Sequence, residues 1–91
     1  MSDLFYYEDV IVDCLNGLVI CTGTTKSWRF DFENMSFYLN NSRSQQRPIR
    51  FDAESNEILY WTSGTWHNFN PVINEAALKM FNYYCDRQIL A

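Results

Sequence analysis

Residues 10–22 read VIVDCLNGLVICT, and the dipeptide Asn16-Gly17 at their centre decides the fold. Asn-Gly favours a two-residue type I′ turn, because both central residues of that turn need positive φ. The β-branched Val10, Ile11, Val12, Val19 and Ile20 around it fit strands. With that turn Leu15 faces Leu18, Cys14 faces Val19 and Val12 faces Cys21. Val10, Val12, Cys14, Val19 and Cys21 then line one face of a hairpin. The rival is a helix over residues 3–16 closed by Gly17, since Leu4, Tyr7, Ile11 and Leu15 also repeat at helical spacing. The density of β-branched residues favours the hairpin.

The same period of two continues downstream. Trp28, Phe30 and Phe32 alternate with Arg29, Asp31 and Glu33, as expected of a strand over residues 28–33 with one face buried. Met35, Phe37 and Leu39 alternate with Ser36 and Tyr38. NNSRSQQR follows as a polar loop, and Ile49 and Phe51 open the next strand. EILYWT, Ser63-Gly64 and TWHNF form a second hairpin, in which Trp61 and Trp66 are expected to pair, with Tyr60, His67 and Phe69 on the other face. The chain ends in a helix: Asn70 can cap it, Pro71 suits its first position, and Asn74 followed by Glu75 offers another start. Its apolar stripe is Ala77, Met80, Phe81, Tyr84 and Cys85.

The expected fold is therefore α+β: one domain over residues 1–91, an antiparallel meander of six to seven short strands with one C-terminal α-helix on a sheet face. The opposite face would then need a second layer, a twin subunit in a homodimer, or a partner, because a monomer rarely exposes so large an apolar patch. Neither internal repeats nor low-complexity segments stand out.

Composition narrows the function classes. Of 91 residues, 47% are hydrophobic and 18% aromatic, which excludes a disordered chain. The start, MSDLFYYED, lacks the basic and apolar regions of a secretory signal, and no stretch reaches the roughly 18 apolar residues of a membrane span. Three cysteines, an odd number, do not suggest a disulfide framework, so the expected compartment is the cytoplasm. The net charge is −4, yet five of the seven bases, Lys26, Arg29, Arg43, Arg47 and Arg50, fall within residues 26–50. An acidic chain is repelled by nucleic acid and drawn to basic proteins.

No catalytic or metal-binding pattern emerges. Cys14, Cys21, Cys85 and His67 lack zinc-ligand spacing and are read as packing residues. His67 is the only histidine and has no carboxylate two residues along its strand to orient it. Asp52, Glu54 and Asn56 resemble the start of a calcium loop, but Glu57 stands where that loop needs Gly and Gly64 where it needs an acid, so a simple Asx turn is expected. No cofactor is expected. Two surfaces remain. Asp3, Glu8, Asp9 and Asp13 crowd beside Tyr6 and Tyr7, a combination suited to a protein partner with a basic surface. The expected function is a non-catalytic binding module, in concrete form a small inhibitor of a nucleic-acid-processing enzyme of the phage anti-defence or anti-CRISPR type. The alternative is a single-stranded nucleic-acid or ligand binder using Arg43, Arg47, Arg50 and sheet aromatics.

Overall fold

Turn chemistry divides the chain into eight short strands and a helix. The structure, a computed structural model, describes residues 4–40 and 42–90. The strands are β1 (Leu4–Tyr7), β2 (Val10–Asp13), β3 (Leu18–Cys21), β4 (Ser27–Asp31), β5 (Ser36–Leu39), β6 (Arg47–Asp52), β7 (Glu57–Thr62) and β8 (Thr65–Asn68), followed by α1 (Pro71–Leu90). Each strand pairs antiparallel with the next, in the order β1 to β8, so the sheet is a meander as expected. It has eight strands, not six or seven.

Three connections repeat one device. Asp13 pairs with Leu18, Asp31 with Ser36 and Asp52 with Glu57, each across a loop of four residues. In each case the fourth loop residue has positive φ: Gly17 at 69°, Met35 at 50° and Asn56 at 56°. The leading aspartate holds the loop. Asp31 Oδ1 accepts from the amides of Glu33 and Asn34, and Asp31 Oδ2 from Asn34 Nδ2 at 2.8 Å. Asp13 accepts in the same way from Asn16 N at 3.2 Å and Asn16 Nδ2 at 2.8 Å. Asp52 accepts from the Glu54 amide at 3.1 Å, the expected Asx turn. The sequence VDCLNGLV, FDFENMSF and FDAESNEI is thus a repeated hairpin, though simple inspection suggests no repeat.

This device corrects the first hairpin. Asn16-Gly17 is half of a four-residue loop and not a two-residue turn, so Val12 faces Val19 instead of Cys21. A shift of two residues preserves which face each side chain takes. Val10, Val12, Cys14 and Val19 are all buried on one side, as expected. The expected strand over residues 28–33 is also cut at Asp31 by the same turn. The Ser63-Gly64 turn is the two-residue form, with φ of 52° and 80°.

The helix covers one face. Asn70 Oδ1 accepts from the Ile73 amide at 2.9 Å and caps the start at Pro71. Ala76 and Ala77 are fully buried, and such small residues let the helix approach the strands closely. Beneath it Phe30, Phe37, Tyr60 and Phe69 form a cluster of rings, with Phe37 and Phe69 centroids 5.0 Å apart. Phe81 meets Phe32 and Phe51 at 5.4 and 5.1 Å. Asn74, the alternative helix start, has another task. β8 has ended by the level of Ile58, and Asn74 Oδ1 accepts the Ile58 amide at 2.9 Å where the ladder would otherwise break.

Candidate protein-interaction surface

The second sheet face has no layer over it among the described residues. Alternation places Tyr6, Ile11, Leu18, Ile20, Tyr38, Leu59, Trp61 and Trp66 there. Their exposure is graded. Tyr38 and Leu59 are buried by their neighbours, whereas Ile20, Trp61 and Tyr6 are 37%, 40% and 79% exposed. Trp61 and Trp66 pair edge to face at 5.3 Å, as expected, and the Arg50 guanidinium lies 4.7 Å from the Trp66 ring.

The β1 corner of this face collects negative charge. Glu8 and Asp9 form the tight β1–β2 turn and are exposed, with Glu8 at φ 51°. Asp13 sits at the opposite end of the β1–β2 pair, across from Leu4. From the helix, Glu75 comes close enough to Tyr7 to matter: burial, then Glu75, then Glu8 raise the Tyr7 phenol above its ordinary value. Also from the helix, the Lys79 ammonium lies 5.3 Å from the Phe5 ring.

The residues singled out for a partner are therefore partly brought together. Tyr6 lies on the open face, and Glu8 and Asp9 flank it. Tyr7 turns the other way and packs on the core, while Asp13 uses both oxygens to hold its loop. Asp3 lies outside the described residues. Glu75 was missed because its place beside β1 is set by helix docking and leaves no local pattern.

The arginines separate. Arg47 pairs with Phe37 on the helix side, where it lines a cleft of about 370 Å³ with Trp28, Tyr60 and Phe69. Arg50, three residues on, points to the open face. The backbone of Arg43 belongs to a 3-10 turn, Arg43–Gln45, and its side chain lies outside the described part of the structure.

A larger cleft, about 750 Å³, opens where the β2–β3 and β4–β5 loops meet the end of α1. Its size suits a small molecule. Three of its charged groups have internal tasks: Arg29 donates to the Asn16 carbonyl at 3.0 Å, Asp31 holds its turn, and Arg87 lies over the Tyr83 ring. Among the described residues no three His, Cys, Asp or Glu side chains converge as a metal site. His67 Nε2 donates to the Thr62 carbonyl at 3.1 Å and its ring stacks on Tyr60, which accounts for its place. Cys14 is buried and Cys21 and Cys85 are half-buried thiols. No described helix is long and apolar enough to cross a membrane. Compared with known proteins, the chain matches no family model, no curated protein and no solved structure.

Proposed function

We propose that this chain is a non-catalytic protein-binding module that acts by occupying a basic surface of its partner. The observation that carries the reading is the uncovered sheet face, whose acidic corner presents Tyr6 at 79% exposure beside Glu8 and Asp9. An exposed tyrosine is a residue that interfaces favour, and the acids at one end of its strand suit a polar rim. The concrete form of the proposal is a cytoplasmic inhibitor that fills the phosphate-binding channel of a nucleic-acid enzyme, as phage anti-defence and anti-CRISPR proteins do. The supporting argument is charge: such channels are basic, and a −4 chain is steered to them.

The test begins with affinity capture from the native host and identification of the retained protein. Association of that partner is then timed with the Glu8→Lys, Asp9→Lys double variant. Association should slow about tenfold at low salt and lose much of its salt dependence. Kinetics identical to the original chain would remove the acidic corner from the interface.

The second reading, a single-stranded nucleic-acid binder, is favoured by one observation, the Arg50–Trp66 stack beside exposed Trp61. Against it, β6 sends Arg47 and Arg50 to opposite faces, so Arg47 does not join Arg50 on that platform. It predicts a retarded band with single strands at low salt that disappears as salt rises. Absence of that band eliminates it.

A further inference from the structure

We propose that the outer edge of β1 at Tyr6 receives an extended, Lys- or Arg-flanked strand of the partner, which extends the sheet beyond β1. This rests on the reading of the chain as a binding module and names how the partner is held. Among the described residues β1 is one of the two edges of the sheet, paired with β2. The two-residue turn makes Tyr7 and Val10 the closing hydrogen-bonded pair, so strict alternation turns the amide and carbonyl of Tyr6 away from β2. The same parity holds across the next junctions, where the Cys21 amide reaches the Lys26 carbonyl and the Phe30 amide the Gly17 carbonyl. Tyr6 thus offers one outward donor and acceptor to a new strand.

β1 is short, but three usual protections of an edge are missing from it. LFYY contains no Pro, no Lys and no inward charge, and it is entirely of strand-favouring or apolar residues. Leu4 and Phe5 are 45% and 38% exposed beside Tyr6, so side-chain area accompanies the backbone groups. This is the arrangement that strand addition exploits, with main-chain bonds for affinity and alternate side chains for specificity.

Charge selects the occupant. Glu8 and Asp9 stand at one end of β1 and Asp13 at the other, with Asp3 next to Leu4 in the chain. A second copy paired antiparallel through its own β1 would set these acids against each other, and like charges facing across strands destabilise. A strand with basic residues on both flanks meets the opposite field.

The edge is tested with a nine-residue peptide of five alternating Val and Thr residues, two Lys at each end, and a twin carrying Glu in place of Lys. Expected on addition of the Lys peptide are slowed hydrogen exchange at the Tyr6 amide and new interstrand NOEs to residues 4–7. The Glu twin should produce neither. Pro tolerates an edge position whose amide faces outward, so Tyr6→Pro removes the donor while β1 stays paired with β2. Tyr6→Ala removes the same ring and keeps the donor. Tyr6→Pro should bind the Lys peptide about tenfold more weakly than Tyr6→Ala, as expected for a lost hydrogen bond with its steric clash. Persistent exchange protection at Val10 and Val12 verifies that the variant keeps its hairpin. Three results would each overturn the proposal: no Tyr6 protection with the Lys peptide, equal protection by both peptides, or a concentration-dependent dimer that Tyr6→Pro dissolves. A captured protein partner that binds the original chain and Tyr6→Pro equally would also overturn it, while leaving the binding-module reading intact.

Discussion

Gly17 and Gly64 both sit at positive φ, yet their surroundings assign them different sensitivities. A Cβ on Gly64 meets nothing within 4 Å, whereas a Cβ on Gly17 runs into the Phe30 carbonyl oxygen. The Gly17 carbonyl also accepts the Phe30 amide at 2.7 Å, which joins the first loop to β4. Gly64→Ala should cost about 1 kcal/mol, the penalty of a left-handed residue. Gly17→Ala should cost about 3 kcal/mol, since backbone must also move and a hydrogen bond strain. Denaturant titration of the two variants checks the difference, and equal costs would contradict the packing around Gly17. Tyr7 offers a second residue-scale test. Burial and the nearby Glu75 and Glu8 disfavour its phenolate, so its folded value lies above the unfolded one. Its stabilising contribution is then complete below the unfolded phenol value and is lost as pH rises through the folded one. Ultraviolet titration should show Tyr7 ionising above the ordinary phenol value, and Glu75→Gln should bring it back toward that value.

At the scale of elements, the Asn74 side chain is a polar stitch between the helix and the sheet. The Ile58 amide is buried, and the Asn74 side chain is its acceptor. Asn74→Ala should cost about 1–3 kcal/mol, the penalty of a buried donor left unsatisfied, and hydrogen exchange should accelerate first at Ile58. An unchanged melting temperature would show that the stitch is dispensable. The element scale is also where sequence reasoning was strongest and where it failed. The cap at Asn70, the Trp61–Trp66 pair and the inward face of β2 and β3 follow from period and turn chemistry alone. The register of the first hairpin does not. Asn16-Gly17 carries a strong local preference, but the Asp13 carboxylate captures Asn16 by two hydrogen bonds and widens the loop to four residues. β1 escaped for the opposite reason: its turn is made by Glu8 at φ 51°, a residue with no turn signature. With β1 unrecognised, the edge it forms could not be foreseen, although the acids and tyrosines that mark it were.

Across the whole molecule, one helix of 20 residues serves eight strands, and it can shield a single face. Val12 and Val19 lie fully buried beneath it, while Ile11 and Ile20 pair on the other side of the same strands. That asymmetry is the basis of the functional reading, since a sheet with one apolar face left open and an acidic, unprotected edge has its remaining stabilisation to gain from a partner. Arg47 and Arg50 fall on opposite faces of β6 because an odd spacing alternates across a strand, but in sequence Arg47 belongs to the polar loop before Ile49, which conceals the separation.

The most direct measurement uses a soluble gadolinium probe, which broadens methyl signals in proportion to their access to solvent, applied to the isolated chain at several concentrations. The account predicts strong broadening of the Ile20 methyls, with Val12 and Val19 spared, at every concentration. Equal protection of Ile20 and Val19 would mean that another layer or a twin subunit already covers the face, and would contradict the claim that it is free to receive a partner.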